Sequence, residues 1–177
     1  LVAAVIARGV NQVAASAPEQ LPPGEGLGTA ELVQRAEAGD GDAQSRLGTV
    51  HAKGEGVPQD YVQAAVWFRR AADQGHAEAQ SGLGTLYMNG LGVERDLGEA
   101  ARLFRLAAEQ GYAPAQSNLG AMYASGYGLP EDFAEAVKWF RLAAEQGHAQ
   151  AQSNLGTAYA TGYGVEEDLA SAVHWYR

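Results

Sequence analysis

The chain has 177 residues, which is enough to bury an apolar core in one domain without disulfides or metal ions to hold it together. It contains no cysteine, which excludes disulfides, thiolate metal ligands and cysteine nucleophiles. Its formal net charge of −9 at pH 7 disfavours nucleic acid and anionic membrane surfaces as partners, and no apolar stretch approaches the roughly 20 residues of a membrane-spanning helix.

Residues 1–28 differ in composition from the rest of the chain. Leu1–Ile6 form an apolar run that Arg8 interrupts, and a Pro- and Gly-rich stretch leads up to residue 28. Small residues such as Ala15 and Ala17 suit signal-peptidase cleavage. The segment therefore indicates a truncated export signal with a linker, or alternatively a disordered or weakly helical extension. We expect a periplasmic or secreted protein, with a cytoplasmic one as the alternative.

A period of 36 residues organises the remainder, residues 29–177. A fixed period of this size is typical of stacked repeats, in which each unit buries its apolar face against the next unit. The predicted units are a capping half repeat at 29–38, full repeats at 39–74, 75–110 and 111–146, and an incomplete repeat at 147–177.

Each unit carries two stretches with the apolar spacing of a helix. In the third full repeat, Ala115, Leu119 and Met122 fall at i, i+4 and i+7, and they predict a first helix, helix A. Ala136 and Phe140 belong to a second stretch with the same spacing, which predicts helix B. Paired glycines between the two stretches can reverse the chain, so each unit is predicted to be a helical hairpin.

Local signals agree with the hairpin. An aspartate that can cap the N-terminus precedes each helix B, at Asp60, Asp96, Asp132 and Asp168. In three of the four units a Gln or Glu three residues later completes a capping-box pattern. Helix B is followed by a glycine suited to a left-handed C-terminal cap, at Gly75, Gly111 and Gly147.

One recurring glycine conflicts with helix propensity. It lies inside helix A, at Gly48, Gly84, Gly120 and Gly156. Glycine costs about 1 kcal/mol relative to alanine in a helix interior, so its recurrence predicts that an aromatic side chain approaches the helix backbone closely.

The motif Ala-x-x-x-Leu-Gly-x-x-Tyr, then Gly-x-Gly-Val, Asp, Ala-x-x-Trp-Phe and Ala-Ala-x-Gln-Gly closely resembles the Sel-one-like repeat, a relative of the tetratricopeptide repeat. The resemblance covers about four fifths of the chain. Two departures are His51, which stands in the Tyr position of the first unit, and the fourth unit, which reaches Arg177 without the Ala-Ala-x-Gln-Gly segment.

The resemblance implies an all-α, α/α right-handed superhelical solenoid of about four helix-turn-helix repeats, with helix A on the concave side. Proteins of this kind serve mostly as adaptors that assemble complexes, many of them exported or periplasmic in bacteria. The resemblance therefore implies a non-enzymatic scaffold that binds a peptide or a partner domain in the concave groove.

No catalytic motif, phosphate-binding loop or metal-ligand spacing is present, so we expect no enzyme activity, cofactor or metal. The four histidines have ordinary structural interpretations. His76 and His148 are expected in exposed loops, His51 as a partly buried packing residue, and His174 on the surface beside Trp175. Charged residues three or four apart along helix B predict an exposed, solvated face.

The side chains of helix A roughly opposite its core face are predicted to line the partner-binding groove. Most are small, which would admit a peptide backbone closely, although small residues would also suit crowding of helices A on a curved inner face. The predicted residues are Asp42, Ser45, Thr49, Lys53, Glu78, Ser81, Thr85, Met88, Asn89, Ser117, Ala121, Ser125, Gln150, Ser153, Thr157 and Thr161.

Two other functions compete with the scaffold. One is β-lactam binding or hydrolysis, to which some cysteine-rich relatives have been linked. This chain has no cysteine and no nucleophile paired with a base, which argues against that activity. The chain could instead be a structural spacer in a larger cell-envelope protein. Trp175 and Tyr176 would form an open apolar C-terminal end at which copies of the chain could self-associate.

Overall fold

The computed structural model describes residues 28–176, apart from the side chain of Thr29. Regular structure in this range is entirely α-helical, which confirms the predicted all-α class. The expectations of an export signal and a disordered extension fall on residues 1–27, outside the described residues. The helices are α1 (Thr29–Glu37), α2 (Gly41–Lys53), α3 (Tyr61–Asp73), α4 (Ala77–Asn89), α5 (Leu97–Glu109), α6 (Ala113–Ser125), α7 (Phe133–Glu145), α8 (Ala149–Thr161) and α9 (Leu169–Trp175).

The described residues form two compact units, 28–96 and 97–176. In the first unit, α1 to α4 pack in chain order, and α2 also contacts α4. In the second unit, α5 to α9 pack in chain order. Helix A of the repeat motif corresponds to α2, α4, α6 and α8, and helix B corresponds to α3, α5, α7 and α9.

Alanine and leucine fill most of the helix interfaces. Leu32 and Ala36 of α1 pack with Leu47 of α2 in the first unit, and Ala136 of α7 packs with Leu155 of α8 in the second. Small alanine side chains let the helix axes approach closely, and the larger residues fill the remaining space. Each helix therefore buries at least one face in these interfaces.

The glycine inside helix A is covered by an aromatic ring, as predicted: the ring of Phe68 for Gly48, of Phe140 for Gly120 and of Tyr176 for Gly156. An alanine Cβ at Gly120 would lie 2.8 Å from the Phe140 ring and 3.1 Å from the Ala136 carbonyl oxygen. The same contact joins Gly48 to Phe68, where the Cβ would lie 2.6 Å from the ring. These distances leave no room for a methyl group, so glycine is required for close helix packing and outweighs its cost in helix propensity.

Helix B ends in the predicted left-handed cap. After α3, Gly75 has φ +85°, its N–H donates to the Ala72 carbonyl at 2.9 Å, and the His76 N–H donates to the Ala71 carbonyl at 3.1 Å. This pair of bonds is the Schellman pattern, which satisfies two carbonyls that the helix itself leaves free. The same geometry recurs after α5 and α7.

The aspartate caps form, but the second half of the capping box does not. Asp132 accepts a hydrogen bond from the Glu135 N–H at 2.9 Å, whereas the Glu135 carboxylate binds Lys138 Nζ at 2.7 Å. The Asp132 N–H also donates to the Tyr123 carbonyl at 2.9 Å, which ties helix A to the start of helix B. At Asp168, hydrogen bonds from the Ser171 hydroxyl and N–H lower the pKa of the carboxyl group.

Arginines on the charged face of helix B form hydrogen bonds with the next repeat, in addition to the predicted exposure to solvent. Arg105 donates to the Tyr123 hydroxyl at 2.9 Å, and Arg141 donates to the Tyr159 hydroxyl at 2.8 Å. Each bond joins a helix B to the helix A that follows 18 residues later. These arginines therefore connect consecutive repeats, and are not only part of a solvated surface.

The hairpin turns at Gly92, Gly128 and Gly164 also pack against the repeat before them. A Cβ at Gly128 would lie 2.5 Å from the Leu97 carbonyl oxygen at the start of α5, and one at Gly164 would overlap the Phe133 carbonyl at the start of α7. Both glycines have positive φ, at +72° and +73°. Glycine is needed here for its backbone conformation and for the close approach of two backbones.

His148 was expected in an exposed loop, and that expectation was wrong. It is half-buried at the N-cap of α8, where its Nδ1 atom accepts a hydrogen bond from the Ala151 N–H at 3.3 Å. Burial lowers the pKa of His148 below its usual value of 6.5. His51 is partly buried and His174 is exposed beside Trp175, as predicted.

We predict that Gly120→Ala lowers the free energy of unfolding by about 1–3 kcal/mol, because the new methyl group forces Phe140 or the helix backbone to move. The measurement is urea denaturation followed by circular dichroism. Gly98→Ala is the matched control: Gly98 is exposed in α5, and Val62 and Ala134 occupy the equivalent exposed position elsewhere. The control should leave stability unchanged or raise it by up to about 1 kcal/mol. Equal effects of the two substitutions would contradict the packing account.

We also predict that His148 makes the fold less stable in mild acid. Because its pKa is lowered in the folded state, the unfolded chain takes up the proton first as the pH falls through 6.5. The free energy of unfolding therefore decreases from that pH downward, until the folded ring is protonated too. His148→Asn keeps a side chain suited to the N-cap and removes the titration. Urea denaturation across this pH range should show a flatter decrease for the variant; identical slopes would rule out the role of His148.

Candidate functional site

Helix A exposes a stripe of side chains at positions i, i+4, i+7 and i+11, called here the helix-A stripe. This spacing follows one face of a helix. Most of its members are exposed or half-buried, whereas Ala121 and Asn154 are buried. The stripe consists of Asp42, Arg46, Thr49 and Lys53 on α2, Glu78, Gly82, Thr85 and Asn89 on α4, Pro114, Asn118, Ala121 and Ser125 on α6, and Gln150, Asn154, Thr157 and Thr161 on α8.

The structure divides the predicted groove residues into two groups. Five are buried and have little surface for a partner: Ser45, Ser81, Met88, Ser117 and Ala121. The others are exposed or half-buried: Asp42, Thr49, Lys53, Glu78, Thr85, Asn89, Ser125, Gln150, Ser153, Thr157 and Thr161. All members of this second group except Ser153 lie on the helix-A stripe.

The buried serines lie one residue away from the stripe, which rotates them by about 100° around the helix. Ser45 is only 1% exposed and lies on α2, which contacts α4. Ser153 occupies the same repeat position on α8 and is exposed. The serine position is thus a packing position in α2, α4 and α6, and the adjacent stripe is the surface that remains open to a partner.

Arg46 is the stripe residue that the sequence analysis missed. It is exposed on α2, one turn after Asp42 and one turn before Thr49. Within residues 28–176 it makes no hydrogen bond, ion pair or ring contact. Continuing the helical spacing from Asp42 would have found it, because Arg46 stands at i+4.

A shallow depression of about 330 Å³ lies on the stripe of the first unit. It is lined by Asp42, Arg46, Thr49, His76 and Glu78. His76, which was expected in an exposed loop, is half-buried at the N-cap of α4, and its Nε2 atom lies 2.8 Å from an Asp42 carboxylate oxygen. This bond spans 34 residues and joins the starts of two consecutive helices A.

The hydroxyl groups of the stripe are already used as donors. Thr85 Oγ1 donates to the Ser81 carbonyl at 3.0 Å, and Thr157 Oγ1 donates to the Ser153 carbonyl at 3.0 Å. Thr49, Ser125 and Thr161 make the same bond to the carbonyl four residues earlier. Their oxygens still have lone pairs, so this surface mainly offers hydrogen-bond acceptors to a partner.

Comparison with known proteins supports the repeat assignment. The Sel1 repeat profile matches residues 41–76, 77–112, 113–148 and 149–177. The chain belongs to the Sel1 repeat family. Comparison with curated protein sequences found no match.

Two solved structures resemble this Sel1 repeat chain closely. A protective antigen of uropathogenic Escherichia coli strains, described as displaying an SLR fold, shares 46% sequence identity with a TM-score of 0.80. A Sel1 repeat protein from Oxalobacter formigenes shares 35% identity with a TM-score of 0.74. The match covers 85% of this chain and 32% of the first relative, and 84% of this chain and 61% of the second. The chain therefore spans only part of each relative.

Sel1 repeat proteins generally serve as protein-interaction scaffolds and are typically non-enzymatic. Within residues 28–176, no three His, Asp or Glu side chains converge so that they could hold a metal ion. The helices of that same range are all too short or too polar to cross a bilayer. The surfaces of the repeats that are open to a partner are the helix-A stripe, the hairpin turns and the exposed face of helix B.

Proposed function

We propose that this chain is a non-enzymatic scaffold that binds an extended segment of a partner protein along the helix-A stripe. The observation that carries the proposal is that the stripe is exposed although the neighbouring faces of the same helices are buried. Apart from Gly82, Ala121 and Asn154, which are covered or buried, the core does not need these side chains, and exposed or half-buried positions recur in every repeat. A partner segment could therefore make similar contacts with the two helices A of a unit, α2 and α4 or α6 and α8.

The chemistry of the stripe suits a peptide backbone. Serine and threonine side chains are short, so a main chain can approach the helix closely. The acceptor oxygens on Thr49 and Thr85 complement backbone N–H groups of an extended segment. At the depression, Arg46 adds an exposed cation between the carboxylates of Asp42 and Glu78, which would select for a segment with both donors and an anionic group.

Aromatic anchors are scarce on the stripe, so binding depends on polar contacts and shape. Aromatic and arginine residues usually dominate the energy of interfaces, and Arg46 is the one such residue on the stripe. We therefore expect affinity in the micromolar range for a short segment, with higher affinity only where a longer segment contacts both helices A of a unit.

The test is selection of 12-residue random peptides displayed on phage, followed by binding measurements on purified variants. Thr49→Arg and Thr157→Arg place a bulky side chain on the stripe. Gln63→Arg and Ala134→Arg are matched controls, because they add the same charge at exposed positions of helices B in the same two units. We predict that a stripe variant lowers the affinity of selected peptides about tenfold or more, and that the controls change it less than about twofold.

Loss of binding in the controls but not in the stripe variants would show that helix B is the binding surface. Failure to select any peptide that binds the folded chain would favour the spacer function. Circular dichroism of each variant shows that a loss of binding does not come from unfolding.

A further inference from the structure

Two tyrosines are exposed at the same position of consecutive hairpin turns. Tyr127 and Tyr163 each lie between the two glycines of their turn, and they are 50% and 41% exposed. In the unit 28–96, the equivalent turn positions hold Glu55 and Leu91. The pair is therefore a property of residues 97–176 and not a general requirement of the turn.

The turns hold both tyrosines in place. Gly128 and Gly164, the residues that follow them, pack against the backbone at the starts of α5 and α7. The Tyr163 ring also packs against the Phe133 ring, with ring centroids 5.0 Å apart. Because the backbone of both turns and the Tyr163 ring are already positioned, a partner that binds there loses less conformational entropy.

The surroundings of the tyrosines are strongly acidic. Glu131, Glu166 and Glu167 follow the two tyrosines in the same turns and are all exposed. Within residues 97–176 there are nine acidic and four basic residues. All four cations lie on helices B and are engaged: Arg102 and Lys138 bind glutamates, and Arg105 and Arg141 bind tyrosine hydroxyls.

We propose that Tyr127, Glu131, Tyr163, Glu166 and Glu167 form a second interaction surface, the turn surface, which binds a cationic, arginine-bearing segment of a partner protein. A guanidinium group can stack on a tyrosine ring while it donates to a carboxylate nearby. The charge argues against a second copy of this chain as the occupant, since two chains of net charge −9 repel each other. The turn surface shares no residue with the helix-A stripe, so the two can bind separately.

The probe is the synthetic peptide (Gly-Arg)6, with (Gly-Glu)6 as its charge-reversed control. Chemical-shift mapping by NMR should place the arginine peptide at residues 126–132 and 162–168, and the glutamate peptide should not bind. We predict that Tyr127→Ala/Tyr163→Ala lowers the affinity for (Gly-Arg)6 about fivefold to tenfold, because each lost cation–π contact contributes modestly at an exposed site. Val62→Ala/Val66→Ala, which trims exposed apolar side chains of α3, should leave the affinity unchanged.

A second pair of variants separates the turn surface from net charge. Glu131→Gln/Glu166→Gln and Glu109→Gln/Glu145→Gln each remove two exposed carboxylates from the same unit. Only the first pair should weaken binding by about fivefold or more. Equal losses from the two pairs, or no loss from the tyrosine variant, would overturn the proposal, because binding would then depend on overall charge. Mapping of the peptide to the helix-A stripe would overturn it as well, while leaving the proposed function intact.

Discussion

The packing of an aromatic ring of helix B on a glycine of helix A sets the geometry of the hairpin in the first and third repeats. In the contacts Gly48–Phe68 and Gly120–Phe140, a single added carbon would lie under 3 Å from the ring. Phe68 also covers Gly82 of the next helix A, where a Cβ would lie 2.8 Å from the ring. One aromatic side chain thus fixes both the hairpin of its own repeat and the approach of the following one.

The other bonds of the repeat depend on that spacing. The arginine of helix B reaches the tyrosine of the next helix A, and the glutamine near the start of helix A reaches the preceding helix B: Gln116 Nε2 donates to the Ala108 carbonyl at 3.1 Å. Gln146, at the end of the next helix B, donates to Gln116 Oε1 at 2.8 Å. Individually such bonds contribute about 1 kcal/mol or less, but the glutamine bonds are buried or partly buried, and together the bonds align consecutive repeats.

Most of the hairpin could be predicted from the sequence because its signals are local. Apolar spacing, the aspartate caps and the glycine inside helix A act within one hairpin, and the glycine after helix B acts directly after it. The structure shows examples of all four signals. The groove residues predicted on helix A were partly wrong because burial of Ser45 involves contact between one repeat and the next. A single helix with one core face gives no sign that a second face will also be covered.

The contacts between repeats were missed for a similar reason, although one signal was present. Wherever the sequence has Tyr87, Tyr123 or Tyr159, an arginine stands 18 residues earlier, and where the tyrosine is replaced by His51 that position holds Val33. Within this one sequence the arginine and the tyrosine are thus present together or replaced together, which indicates that the two positions are in contact. The bond between His76 and Asp42 joins residue types that do not recur as a pair, since the equivalent positions hold Glu78 with Tyr112 and Pro114 with His148, so the sequence pattern gave no signal for it.

A double-mutant cycle on Gly120 and Phe140 tests most directly whether the ring-on-glycine contact governs the fold. Urea denaturation would give the free energy of unfolding for Gly120→Ala, Phe140→Leu and the double variant. If the contact is the controlling constraint, Gly120→Ala costs much less when residue 140 is leucine, and the coupling energy is about 1 kcal/mol or more. Additive effects of the two substitutions would contradict the account, because they would show that the methyl group and the ring do not compete for the same space.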